Sequence, residues 1–228
     1  MNADLAEVLG PARAVLFDFD GPICSVFAGA PAPGIARGLR SQLAETGVEL
    51  PVTDDPLDVL RLAAAFGHDV VLRAEELLTA AETAAIRSAA PTPGGEASIR
   101  ACTASGRQVA VVSNNSAAAV VAYLDQHAIS APPADLVVGR EYAQPHLMKP
   151  HPSPILSLLA LLDVTADAAV LVGDTITDIQ AATAAGVACI GYANKPGKHE
   201  QLAGAAVVID DMQVLADQLA VLPYRARG

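Results

Sequence analysis

The segment Ala14-Val-Leu-Phe-Asp18-Phe-Asp20-Gly21-Pro22 ends an apolar run with two carboxylates one residue apart. Alternate side chains of a strand point to the same face. Asp18 and Asp20 therefore project together, and Gly21 lets the chain turn sharply behind them. Adjacent carboxylates repel, and each raises the other's pKa unless a cation lies between them. The pair suits a divalent metal and acid–base chemistry. It also suits a solvated Asp-x-Asp-Gly turn, since these are turn residues.

Three further stretches place polar side chains just after apolar runs or at helix starts. They are Val111-Val112-Ser113-Asn114-Asn115-Ser116, Lys149-Pro-His-Pro-Ser-Pro154 and Gly173-Asp174-Thr175-Ile176-Thr177-Asp178. Taken singly, each has a plain structural role. Ser113 reads as a strand-end hydroxyl, and Asp174 and Asp178 as a turn acid and a first-turn helix acid. Lys149 alone reads as a surface cation, yet no lysine precedes it and only Lys195 and Lys198 follow.

The elements that must position these residues alternate. Ala14–Phe19, Gln108–Ser113, Asp135–Gly139, Ala168–Gly173, Ala188–Tyr192 and Ala206–Ile209 are nearly continuous apolar runs. Continuous rather than alternating runs are the pattern of strands buried on both faces of a parallel sheet. Helical patterns separate most of them: Gly95–Ser105, Ala117–His127, Pro154–Leu162, Ile176–Ala185 and Asp211–Leu222. The alternation predicts an α/β fold, a doubly wound, Rossmann-like parallel sheet. Ligands of such sheets bind at the carboxyl ends of the strands, near the switch in strand order. The polar stretches converge there.

Between Cys24 and Ala90 the rhythm breaks, with no strand run and three helical patterns: Ile35–Glu45, Leu57–Phe66 and Asp69–Ser88. In the last, Val70, Ala74, Leu77, Leu78, Ala81 and Ala85 recur at helical spacing. Gly29–Gly34 and Pro91–Gly95 punctuate the interval like two hinges. A strand-to-helix connection is normally a few residues long. The expectation is an inserted helical domain, residues 23–91, in a core built from 1–22 and 92–228.

A net charge of −11 argues against a nucleic-acid partner, whose phosphates demand basic residues. A small anionic ligand stays compatible, because a metal and a few cations reverse the field within a pocket. Cys24, Cys102 and Cys189 are too scattered for a metal-ligand spacing and read as reduced core thiols. The start of the chain lacks the basic and apolar stretches of a signal peptide, and no apolar run is long enough for a bilayer. A cytoplasmic protein without a membrane partner is expected.

Together the stretches resemble the haloacid dehalogenase superfamily of phosphohydrolases over nearly the whole chain. Asp18-Phe-Asp20-Gly21 resembles its first motif, Ser113-Asn114 the second, Lys149-Pro150 the third, and Gly173-Asp174-Thr175 with Asp178 the fourth, in the same order and spacing. The insertion resembles that superfamily's helical cap. The resemblance implies a nucleophile at Asp18, which forms an aspartyl-phosphate, and a general acid and then base at Asp20. It implies Mg2+, held by Asp18, the Asp20 carbonyl and Asp174, with Asp178 as an additional or more distant carboxylate. Lys149 would neutralise phosphoryl oxygens and tether Asp18. Ser113, with backbone N–H groups around Asn114, would bind the phosphoryl group.

Within that resemblance, Asp20 argues against dehalogenation. The absence of lysine from Gly21–Leu147 argues against phosphonate cleavage through a cap Schiff base. A phosphatase of small phosphorylated metabolites, similar to phosphoglycolate phosphatases, is the expectation. The alternatives are a sugar-phosphate mutase on the same residues and a non-catalytic phosphate-binding module. Two positions depart from the pattern: Pro22 replaces the usual Thr, predicting an altered flap, and Ser113 stands for a Thr. Arg37 and Arg40, at i,i+3 on the first inserted helix, are surface cations or contacts to a substrate anion. His68 reads as structural. His146 and His151 flank Lys149 without a ligand role. Asn194, Lys195 and Lys198 lie in a loop near the same sheet edge as candidates for substrate contact. These residues specify neither the substrate nor an oligomeric state.

Overall fold

A computed structural model describes residues 4–224 of the 228. In chain order its strands are β1 (Ala14–Phe17), β2 (Cys24–Ser25), β3 (Ala90–Pro91), β4 (Gln108–Val112), β5 (Val137–Val138), β6 (Ala169–Gly173), β7 (Ala188–Tyr192) and β8 (Val207–Ile209). Its α-helices are α1 (Leu5–Leu9), α2 (Ala32–Ala44), α3 (Pro56–Ala63), α4 (His68–Ala85), α5 (Gly95–Ala104), α6 (Ala117–Gln126), α7 (Ser153–Leu162), α8 (Ile176–Ala185), α9 (Lys198–Gln201) and α10 (Met212–Val221).

The six apolar runs form one parallel sheet in the order β5-β4-β1-β6-β7-β8. Every residue of β1 and β6 is buried, as continuous apolar runs require. Odd and even positions of β1 feed two cores. Val15 and Phe17 pack with Val109, Val111 and Tyr123 on one face. Leu16 packs with Ala110, Leu171, Ile155 and Leu158 on the other. Phe17 pairs with Val111 of β4 and Val172 of β6, so the three strands end level. The chain lays β4 and β5 on one side of β1, then returns to lay β6, β7 and β8 on the other. Asp18, Ser113 and Asp174 each follow one of these central strands at that switch.

The insertion is helical: α2, α3 and α4 enclose an apolar cluster, with Leu39, Leu43, Val59, Leu60 and Leu78 fully or nearly fully buried, and Ala143 and Met148 join it from the core side. The expectation of no strand between Cys24 and Ala90 needs one correction. Cys24 pairs with Pro91 and Ser25 with Ala90, so two short antiparallel strands, β2 and β3, close the neck. A pair of two-residue strands has no periodicity to read.

Helix α4 also differs from its spacing. Its buried positions are Val71, Ala74, Glu75, Leu78, Glu82 and Ala85, and Val70, Leu77 and Ala81 are only half-buried. The buried face includes two glutamates because a buried arginine, Arg140, meets them there.

The three cysteines are free and buried. Burial pushes the thiols of Cys102 and Cys189 up to about 12, and that of Cys24 higher still. Among the described residues no helix is long and apolar enough to cross a membrane.

Candidate active site

Asp18 is held from three directions. Its backbone N–H donates to the Val172 carbonyl at 2.8 Å, continuing the ladder to β6. Its Oδ1 accepts from the Phe19 N–H at 2.7 Å and pairs with Lys149 Nζ at 2.8 Å. Lys149 is 2% exposed. Its ammonium also donates to Asp178 Oδ1 at 2.6 Å and to the Val112 carbonyl at 3.1 Å, so three donors meet three acceptors. Asp178 is fixed in turn by the capping box of α8. Its Oδ2 accepts from the Thr175 N–H at 3.0 Å and from the Thr175 hydroxyl at 2.6 Å. Gly173 makes room for this turn, since a Cβ there would sit 2.5 Å from Asp178 Cβ.

Asp174 lies against the turn behind Asp20. Gly21 has φ +116°, and a Cβ on it would fall 2.5 Å from Asp174 Cγ, so glycine is required on both counts. Asn194 Nδ2 donates to Asp174 Oδ2 at 2.9 Å. Lys198 Nζ pairs with the same oxygen and donates to the Asp174 carbonyl at 2.6 Å. Asp174 Oδ1 is buried with no hydrogen-bond partner. Carboxylate oxygens of Asp18, Asp174 and Asp178 lie within 4.8 Å of one another. The Asp20 carboxylate lies outside this trio, where Oδ1 accepts from the Val26 N–H at 3.0 Å.

The charges are unbalanced. Burial holds the Asp18 carboxyl well above the usual range, and Asp178 and Asp174 add to the shift against Lys149. Burial opposes the Lys149 charge, but Asp178 and Asp18 overcome it and raise its pKa. Burial thus acts on both groups against their charged forms, and the surplus of neighbouring carboxylates reinforces it at Asp18 and outweighs it at Lys149. Burial also raises Asp20, despite the bond from Val26. An orphaned carboxylate oxygen beside two more carboxylates is a donor set that fits a hard divalent cation such as Mg2+.

These residues open on a cavity of about 890 Å3. The core contributes Asp18, Asp20, Ser113, Asn114, Lys149 and Asp174, and the insertion contributes Asp54, Asp55, Leu57 and Arg61. Ser113 Oγ accepts from the Asn115 N–H at 3.1 Å. The Asn114 side chain pairs with the Lys149 backbone, donating at 3.1 Å and accepting at 2.8 Å, so it holds the lysine in place.

Arg37 is exposed, and neither it nor Arg40 lines the cavity. Arg61 of α3 is the arginine that does, bonded to Asp58 at 2.8 Å; the sequence does not single it out, since opposite charges at i,i+3 are an ordinary pattern of a helix surface. Asn194, Lys195 and Lys198 do line the cavity. His68 and His146 line a second cavity of about 940 Å3, which shares Arg61 with the first. His151 lies in neither and accepts from the Ser153 N–H at 3.2 Å. Beside Pro22, the Thr92 hydroxyl donates to the Gly21 carbonyl at 2.6 Å, so a threonine from the second hinge braces the turn.

Residues 57–192 match the model of the haloacid dehalogenase-like hydrolases. The chain is 32% identical to a phosphoglycolate phosphatase of Rhodospirillum rubrum, over 91% of this chain and 90% of that one. The chain belongs to the haloacid dehalogenase-like hydrolase family. It is a hydrolase of the phosphoric monoester class. A plasmid-borne phosphoglycolate phosphatase of Cupriavidus necator is 31% identical, over 92% of this chain and 94% of that one. The fold is also that of CbbY from Rhodobacter sphaeroides in complex with phosphate, with TM-score 0.63, 23% identity, and coverage of 90% and 96%. In this hydrolase the helical insertion is the cap, and α4 carries the glutamates that enter the junction with the core.

Proposed function

We propose that this hydrolase dephosphorylates a small phosphorylated metabolite through an aspartyl-phosphate on Asp18, with Mg2+ bound. The supporting observation is the state of Asp18. Both of its donors fall on Oδ1, Oδ2 has none among the described hydrogen bonds, and the residue lines the cavity. Oδ2 attacks phosphorus as the bond to the leaving oxygen breaks. Asp20, whose raised pKa favours the protonated acid, donates its proton to that oxygen. Asp20 then takes a proton from the water that attacks phosphorus, and the bond to Asp18 breaks.

Lys149 fixes the attacking carboxylate and offsets charge from a buried position. Ser113 and the backbone of Asn114 receive the phosphoryl oxygens. Asp18, the Asp20 carbonyl and Asp174 would hold Mg2+. Asp178, with both oxygens engaged by Lys149 and Thr175, supports that set through the lysine. Bound Mg2+ supplies charge neutralisation and orientation of the phosphoryl group.

Residues 23–91 serve as the cap over a core of 1–22 and 92–228; an apolar cluster drawn mostly from α2, α3 and α4 and the β2–β3 neck support these bounds. The relatives' names make phosphoglycolate the first substrate to assay. The test is phosphate release from a panel of phosphate esters, with Mg2+ or chelator, by wild type and Asp18→Asn. We expect Mg2+-dependent release by wild type and a loss of roughly 10^4-fold or more in kcat for the variant. An Asp18→Asn variant as fast as wild type would exclude Asp18 as nucleophile.

A further inference from the structure

Ser116 is the N-cap of α6 and accepts from the Ala119 N–H through its side chain. In a capping box, the third residue of the helix returns a carboxylate or amide to the N-cap N–H. That residue here is Ala119, which has nothing to return. Glu82 of α4 takes its place from the cap. Its Oε2 accepts from the Ser116 N–H at 3.0 Å, and its Oε1 from Asn115 Nδ2 at 3.1 Å.

Arg140 then locks Glu82. Its NH1 donates to both Glu82 oxygens, at 2.6 and 2.8 Å, and to the Asn114 carbonyl at 3.2 Å. Its backbone N–H donates to the Asn115 carbonyl at 3.0 Å. Glu82 is 0% and Arg140 6% exposed. Glu75 accepts from Arg140 Nε at 2.8 Å, and its other partners are Thr79 and Ala143, outside the 113–116 loop. The carboxylate at the start of the ten-residue α6 also meets the positive end of the helix dipole.

We propose that Glu82 and Arg140 are positioning residues for the reaction. They hold the loop Ser113–Ser116 in shape only while cap helix α4 is seated on it. The inference rests on the reading of that loop as the phosphoryl seat. It makes the cap a structural part of the phosphate site as well as a cover. The coupling is reciprocal, so phosphate in the loop steadies α4.

The test uses the full chain, inorganic phosphate with Mg2+ as the probe, and amide hydrogen exchange as the readout. Slower exchange both at residues 113–116 and at residues 78–85 of α4 is expected. Slowing of the loop with α4 unchanged overturns the coupling and leaves the phosphatase reading standing. No change in the loop overturns both. Kinetics supply an independent arm. Glu82→Gln keeps the shape and removes the charge; it lowers kcat about tenfold or more, with KM changed less than threefold. Glu75→Gln removes the same charge from the same cluster without touching the loop, and keeps kcat within twofold. Equal losses of kcat in two folded variants, or none in either, contradict a positioning role.

Discussion

Two clusters of buried charge sit about the same loop and are built on opposite terms. At the cap–core junction, Arg140 meets Glu75 and Glu82, and each side-chain nitrogen and oxygen of the three has a partner. At the strand ends, Asp18, Asp174 and Asp178 share Lys149 and Lys198, one Asp174 oxygen has no partner, and the Asp18 carboxyl is pushed up. A satisfied cluster holds elements together. An unsatisfied one at a switch point is prepared for a cation and a reacting group. Burial alone therefore does not distinguish the two clusters; the unpartnered carboxylate oxygen among three carboxylates does.

The largest effect on stability belongs to the satisfied cluster. Arg140→Ala leaves two carboxylates buried without their cation and costs about 3–5 kcal/mol, the range for breaking a buried pair. Denaturant unfolding measures it. A loss below about 1 kcal/mol, the range of exposed pairs, would place this cluster among surface ion pairs and undo the contrast.

A smaller effect separates the clusters by pH. Asp18 binds its proton more tightly in the folded protein than in the unfolded chain, where the ordinary carboxylate value applies. The stability this contributes is complete below that value and is lost as pH rises through the raised folded value. With chelator present, wild type should therefore lose stability relative to Asp18→Asn as pH climbs from about 4. Saturating Mg2+ should shrink the difference, since a cation favours the ionised form. Parallel pH profiles for the two proteins would show that Asp18 carries no such strain.

The sequence made one cluster legible and hid the other, for a physical reason. Asp18, Ser113 and Asp174 each follow a continuous apolar run, and strands of a parallel sheet end together. Their convergence follows from periodicity. The helix Ile176–Ala185 and the strand Ala188–Tyr192 were readable to the residue for the same reason, with Thr175 and Gly186 as the helix caps. Glu75, Thr79 and Glu82 stand at i, i+4 and i+7 of α4, a polar stripe inside the face of Ala74, Leu78 and Ala85. That stripe is the available signal, and charge on a helix is ordinarily read as solvated. Its partner Arg140 lies beyond the end of β5, 58 residues from Glu82, and no local pattern joins them. Thr92 at Gly21 is likewise a contact between segments far apart in the chain, whereas Lys198, placed near this sheet edge by the sequence, reaches Asp174 from the start of α9.

The central claim is that the unsatisfied cluster makes Asp18 a nucleophile toward phosphorus. The most direct measurement is mass spectrometry of the protein quenched in acid during turnover of a phosphate ester with Mg2+. The account predicts a phosphoryl group on the peptide that contains Asp18, absent when Mg2+ is chelated and absent from Asp18→Asn. Steady turnover with that peptide unmodified, or a phosphoryl group carried elsewhere on the chain, would contradict it.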